Sequence, residues 1–139
     1  MGKSPPGETL TPSKARSVIA AAEQKAGTIG QPMNIAVVDA GGNLVAHVRT
    51  DGAWLGSVDI AINKAWTARA FDISTKELAA LSQPGEDFYG IPASNHGKVM
   101  IFAGGIPLKE NGAVVGAVGV SGGTGKQDQV VAEAGAAAF

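Results

Sequence analysis

The stretch Asp39-Ala40-Gly41-Gly42-Asn43 separates two alternating apolar segments and decides how the first half of the chain folds. The segments 34–39 and 44–49 each place apolar side chains at every second position, which is typical of strands. Gly41 and Gly42 tolerate the positive φ angles of a tight turn. The pattern therefore predicts a β-hairpin with strands at about 34–39 and 44–49.

Helix signals surround this hairpin. A first helix is expected from Pro12 to the residue before Gly30, with Thr11 as its N-cap. A largely apolar helix is expected from Ser57 to Phe71. Capping boxes that begin at Ser74 and Thr124 predict a short third helix and a final helix.

The remaining apolar segments predict three more strands. They lie at 99–102, 106–109 and 114–120, and Asn111-Gly112 supplies a hairpin turn between the last two. The expected order is α-β-β-α-α-β-β-β-α. We therefore predict an α+β fold with a central, mainly antiparallel, five-stranded sheet flanked by helices.

Composition limits the classes of function. The 139 residues fit one domain, expected at 10–139 after a flexible arm at 1–9. The net charge of −1 disfavours nucleic acid or an anionic membrane as a partner. The lack of cysteine excludes disulfides, thiolate metal sites and cysteine nucleophiles. The N-terminal residues do not resemble a signal peptide and no apolar run is long enough to cross a membrane, so a cytoplasmic location is expected.

Lys64 and Thr67 share one face of the apolar helix and form the first candidate site. Lys64 is expected to bind a carboxylate, such as a haem propionate or a small acid, or else to pair with an acid elsewhere in the chain or reach solvent along its stem. Arg49 and Asp51 end the second strand, where a ligand contact or, more commonly, a structural ion pair is found.

The two histidines are candidate iron ligands. His47 interrupts an alternating strand, and His96 lies in a predicted exposed turn. Either imidazole has the chemistry to ligate haem iron. Their separation lacks the local spacing of a zinc site, so no metal site is predicted.

A glycine-rich segment and a loop with aromatic residues are further candidates for ligand binding. Gly122-Gly123 precede a helix start, where free N–H groups favour an anion, although capping of the helix is the favoured explanation. A phosphate loop is disfavoured because Val120 and Gln127 occupy positions at which that motif needs glycine and Ser/Thr. Phe88 and Tyr89 lie in a long loop, which predicts a lid or a subunit contact.

The chain resembles the GlcG/HbpS-like family, described as haem-binding or haem-degrading and related to the carboxy-terminal domain of PduO-type proteins. The resemblance is carried by segments spread over almost the whole chain: 34–42, 51–57, 60–68, 90–92, 104–108 and 115–123. It implies a compact α+β subunit that forms homodimers and larger rings, often octamers. It also implies haem as a cofactor in some members.

Three hypotheses for function follow. The first is a haem-binding protein that degrades or buffers haem. The second is a catabolic enzyme of the lyase, isomerase or hydrolase type, acting on an organic acid or a reactive intermediate, with Lys64, Asp51, His47 and Tyr89 as candidate catalytic residues. The third is a non-catalytic oligomeric accessory protein. The small-molecule ligand is expected to contact Arg49, Lys64, Thr67, Phe71, Phe88, Tyr89, Gly105, Gly122 and Gly123.

Overall fold

The computed structural model describes residues 10–139, so the predicted arm at 1–9 lies outside the described part. In chain order the elements are α1 (Pro12–Ile29), β1 (Asn34–Asp39), β2 (Leu44–Arg49), α2 (Gly56–Phe71), α3 (Thr75–Leu81), two short 3-10 turns (Ile91–Ala93 and Asn95–Gly97), β3 (Gly105–Glu110), β4 (Ala113–Ser121) and α4 (Gly125–Ala137). None of the helices within this part of the chain is long and apolar enough to cross a membrane.

The sheet has four strands in the order β2-β1-β4-β3, and every neighbouring pair is antiparallel. The α+β class is confirmed, but the prediction of five strands is wrong because residues 99–102 form no strand. The Thr67 hydroxyl accepts the Met100 N–H at 3.0 Å and donates to the Lys98 carbonyl at 3.2 Å. A side chain of α2 therefore satisfies backbone groups that a neighbouring strand would otherwise bind.

The turn between β1 and β2 is organised by the side chain of Asp39. Its Oδ1 accepts the N–H groups of Gly41 and Asn43, both at 2.9 Å, which is the Asx pattern common in turns. Gly42 has a φ of 78°, as predicted, whereas Gly41 does not adopt a positive φ. The hairpin is confirmed with strand bounds equal to those expected.

The predicted helix caps are present. The side chains of Thr11 and Ser74 accept N–H groups three residues later, and Thr124 and Gln127 form a complete capping box. Gly30 ends α1 in the left-handed conformation, with a φ of 69°. These ends form where expected because each depends on residues within one turn.

Two helical layers cover the two faces of the sheet. On one face α1 and α4 pack over large apolar side chains of the strands, among them Ile35, Val37, Leu108, Val118 and Val120. On the other face α2 packs through small side chains, namely Ala65 and Ala68 against Val38 and Ala117. The helix α2 therefore lies unusually close to the sheet.

Glycines in the strands permit this close approach. A Cβ on Gly119 would overlap the Ala61 carbonyl and lie 2.5 Å from the Ala65 nitrogen. A Cβ on Gly105 would lie 2.5 Å from the Lys64 carbonyl oxygen. Because the backbones are this close, the side chain of Lys64 reaches across to the end of β4.

Candidate functional site

A cleft of about 400 Å³ opens where α2, the end of β4 and the start of α4 meet. Its apolar walls come from Trp54, Ile60, Phe102 and Ala103, and its polar floor from Ser57, Lys64, Ser121 and Asp128. Trp54 and Phe102 are 66% and 56% exposed, so they form the rim. The cleft thus combines an apolar entrance with a charged pair at its base.

The floor holds a buried ion pair. Lys64 Nζ donates to Asp128 Oδ2 at 2.9 Å and to the Val120 carbonyl at 2.9 Å. The two side chains are only 2% and 5% exposed. Asp128 Oδ1 accepts the Gly123 N–H at 2.9 Å, so this carboxylate is bound from both sides. The pair joins α2 to β4 and α4.

Burial shifts both partners toward their neutral forms. Removal from water lowers the pKa of the Lys64 ammonium, and the charge and hydrogen bond of Asp128 oppose that shift. Burial likewise raises the pKa of the Asp128 carboxyl, against the opposing effects of Lys64 and the Gly123 and Gly122 N–H groups. Moving the proton from nitrogen to oxygen is therefore easier here than between the same groups in water.

The pairing bears on the expected role of Lys64. The sequence left open whether Lys64 binds a ligand carboxylate or an acid of the chain, and the structure gives it Asp128. Its charge is already neutralised, so a haem propionate or organic acid would compete with Asp128 for it.

Thr67 and Gly105 take part in packing within the fold. Thr67 is fully buried, and its hydroxyl is occupied by the backbone of residues 98–100. Gly105 is buried beneath α2, and its N–H donates to the Thr75 hydroxyl at 2.8 Å. Neither residue lines the cleft beside Lys64.

Gly122 and Gly123 connect β4 to α4. A Cβ on Gly122 would lie 2.5 Å from the Pro32 carbonyl oxygen, so the loop packs tightly against the segment before β1. Gly123 lines the cleft and gives its N–H to Asp128. The anion expected at this helix start is therefore replaced, at this N–H, by a carboxylate of the helix itself.

His47 is held from one side. It lies on β2 opposite Ala36, on the sheet face that carries α2, and its Nε2 is 3.0 Å from Asn34 Oδ1. The Asn34 amide donates to the Trp54 carbonyl at 3.0 Å, which orients its oxygen toward the imidazole. Burial, followed by the nearby charge of Arg49, lowers the pKa of His47. Because the Asn34 oxygen can only accept a hydrogen bond, the imidazole donates to it through Nε2.

His96 and the predicted aromatic residues lie at the surface. His96 is exposed in the second 3-10 turn, with a left-handed φ of 56°. Phe88 is 48% and Tyr89 67% exposed, and Phe71 packs edge-on against Trp66 with ring centroids 6.5 Å apart. None of them lines the cleft beside Lys64.

Arg49 and Asp51 are both exposed at the end of β2. The ion pair favoured for them is not among the salt bridges formed by residues 10–139, which is a correction to that expectation. Both residues are exposed, and an ion pair between exposed side chains would contribute little stability. Asp51 lines a separate shallow cleft with Pro32 and Thr50.

The cleft also contains residues that the sequence did not identify as candidates, among them Trp54, Phe102 and Asp128. Asp128 follows the capping residue Gln127, and an acid in the first turn is ordinary for a helix. Its pairing with Lys64, 64 positions away, has no local signal. The available hint was a lysine on a largely apolar helix, because a lysine that becomes buried there needs an acid beside it.

Comparison with known proteins gives a consistent relationship. Residues 10–137 match the family model described as haem degrading protein HbpS-like. The chain is 44% identical to an uncharacterised 15.0 kDa protein from the dhaT-dhaS intergenic region of Citrobacter freundii. That alignment covers 96% of this chain and 94% of the relative.

Solved structures of similar proteins superpose on nearly the full length of this chain. The Klebsiella pneumoniae protein ORFY superposes with a TM-score of 0.93 at 42% identity, covering 100% of this chain and 96% of that one. The crystal structure of a PduOC:heme complex superposes with a TM-score of 0.90 at 35% identity, covering 94% of both chains.

Proposed function

The chain belongs to the HbpS-like family, and from that premise we propose that it is a haem-binding protein. The observation that carries the proposal is the similarity to PduOC, which was solved as a heme complex and shares the fold over 94% of both chains. Haem offers a large apolar surface, an iron atom that needs an axial ligand, and two propionates.

His96 fits the requirement for an axial ligand. It is exposed, and its imidazole makes no hydrogen bond to other residues within 10–139, so both ring nitrogens are accessible. Exposed aromatic side chains, those of Phe88 and Tyr89, belong to the same loop. We propose His96 as the residue that would hold the iron, with these rings as part of the apolar contact.

His47 fits less well. Its Nε2 carries the proton that is donated to Asn34, and only Nδ1 is left to bind a metal. Ligation through Nε2 would break a contact to Asn34, which is fully buried. An unpaired buried amide oxygen costs about 1–3 kcal/mol.

The proposal also changes the choice of cation for the propionates. Lys64 is paired with Asp128, whereas Arg49 is exposed and takes part in none of the ion pairs of the described chain. Arg49 is therefore the better candidate. When bound, haem would supply an iron centre able to bind small ligands or exchange an electron.

A hemin titration tests the proposal directly. Purified protein, His96→Ala and His47→Ala are titrated with hemin while the Soret band is recorded. We expect saturation and a sharp Soret shift in the wild type and in His47→Ala, both lost in His96→Ala. Unsaturable, featureless absorbance in the wild type refutes haem binding, and loss only in His47→Ala refutes the choice of ligand.

Degradation and buffering of haem are separate predictions of the same hypothesis. Loss of the Soret band with a reductant and oxygen indicates degradation, and a stable band that transfers to apomyoglobin indicates buffering. A homodimer or octamer also stays a prediction, which light scattering after size exclusion measures. The cytoplasmic location is likewise still an expectation from the sequence.

A further inference from the structure

We propose that the cleft beside Lys64 is a second site, which captures a small neutral carbonyl compound as an imine on Lys64. This inference does not depend on haem binding, because the cleft contains neither histidine and neither of the loop aromatics Phe88 and Tyr89. It concerns chemistry that the buried ion pair makes available to a molecule entering past Trp54 and Phe102.

The Lys64 amine is placed to meet a molecule that enters the cleft. Lys64 lies at the floor of a cleft of about 400 Å³, which is large enough for a small organic molecule. The walls formed by Ile60 and Ala103 are apolar and limit access of water. A lysine that is desolvated beside a proton acceptor is the arrangement found in amines that form Schiff bases.

Two hydroxyl groups in the cleft are available to bind the oxygen atom of a ligand. Ser57 and Ser121 are only 4% and 5% exposed, and both line the cleft. Neither hydroxyl hydrogen-bonds to another residue within 10–139, although buried hydroxyls are normally paired. A carbonyl oxygen or the hydroxyl of a carbinolamine entering the cleft would supply the partner that these groups lack.

The balanced charge at the floor of the cleft favours a neutral ligand. The charge of Lys64 is balanced by Asp128 at 2.9 Å, so the floor carries no net charge. A second carboxylate placed here would meet the negative charge of Asp128 in a poorly hydrated site, which is unfavourable. An aldehyde or a ketone has a polar oxygen without that repulsion.

The reaction balances without an additional reagent. Asp128 accepts a proton from the Lys64 ammonium, and the free amine attacks the carbonyl carbon to form a C–N bond. The carbonyl oxygen takes up protons and leaves as water, which converts the carbinolamine into an iminium ion. Ammonium and carbonyl thus become iminium and water, and Asp128 ends as the carboxylate that faces the new cation.

Reductive trapping tests the proposal on the full chain without added hemin. The protein is incubated with acetaldehyde and cyanoborohydride, which reduces any imine to a stable ethyl-lysine, and the modified positions are mapped by mass spectrometry. We expect initial modification of Lys64 to exceed that of the exposed Lys109 and Lys126 at least ten-fold. Modification of Lys109 and Lys126 with Lys64 untouched overturns the proposal.

Two variants that keep the ion pair act as controls. Ser121→Ala and Ser57→Ala remove the free hydroxyls, and each is expected to lower Lys64 modification several-fold while leaving Lys109 unchanged. Equal modification of Lys64 in the wild type and in both variants overturns the role of the hydroxyls. Because the wild-type map alone decides whether Lys64 reacts, a folding defect in either serine variant does not affect that result.

Discussion

Replacing Asp128 with asparagine is the sharpest perturbation of the buried pair, because it removes one charge while preserving shape. Lys64 would then have to carry its charge almost completely out of water without a counter-charge, and its acceptors would be the Val120 carbonyl and the single amide oxygen of the new side chain. Breaking a buried pair in this way typically costs about 3–5 kcal/mol.

Deprotonation of Lys64 would relieve the uncompensated charge, so its free energy sets an upper limit on that cost. Lys64 can lose its proton, and deprotonating a lysine costs free energy only when the pH is below its ordinary pKa of 10.5. At pH 7 the penalty is roughly 1.4 kcal/mol for each of the about 3.5 intervening pH units, or about 5 kcal/mol. At pH 9 the same reasoning gives about 2 kcal/mol.

The sign of the pH dependence follows from proton binding. Burial lowers the pKa of Lys64, and the variant lacks the Asp128 charge that opposes this shift. Between the lowered pKa and 10.5 the unfolded variant carries a lysine proton that the folded variant lacks. Folding stability of the variant therefore rises with pH, by up to about 1.4 kcal/mol per unit, and the rise begins at a lower pH than in the wild type, where Asp128 opposes the shift.

Urea unfolding followed by circular dichroism at pH 7, 8 and 9 measures these differences. The double variant Lys64→Met/Asp128→Leu is the control, because it removes both charges and is expected to be closer to the wild type than Asp128→Asn at pH 7. A loss below about 1 kcal/mol at pH 7, or a loss that does not shrink by pH 9, would contradict the described burial of the pair.

Three further outcomes are expected. Thr67→Val should destabilise the fold by about 1–3 kcal/mol and speed hydrogen exchange at the Met100 amide, whose acceptor it removes; unchanged exchange would argue against that bond. Gly119→Ala should cost about 1–3 kcal/mol in urea unfolding because its Cβ meets the backbone of α2, whereas Gly27→Ala, with open space around it, should be neutral or stabilising. Burial lowers the pKa of His47, so as the pH falls the imidazole is protonated in the unfolded chain before it is protonated in the folded protein. Between pH 7 and 5 the wild type should therefore lose stability relative to His47→Gln. NMR should find that the ring of His47 titrates below 6.5.

Local chemistry explains which parts of the fold could be read from the sequence. The turn after β1 depends on Asp39 and the next four residues, and each cap depends on residues within one helical turn. The residues 99–102 have the composition of a strand, but backbone groups in and beside this segment bind one hydroxyl on α2, some 30 positions earlier. The sequence of a short apolar segment does not indicate that such a distant partner will bind its backbone.

The candidate site shows the same limit. The unusual position of Lys64 on an apolar helix is visible in the sequence, and so are the glycines that let α2 approach the sheet. Its partner Asp128 resembles an ordinary acid at a helix start. Only the fold determines that this acid, the end of β4 and the rim residue Phe102 converge.

The first turn of α4 has a consequence for the order of events during synthesis. Gln127 caps its own helix, Asp128 meets Lys64, and Gln129 accepts the Gly104 N–H at 3.1 Å. These contacts form only after residues 125–129 have left the ribosome. Until then the lysine of α2 has no counter-charge, so the sheet and α2 should stay loosely associated on the nascent chain and close together in a late step.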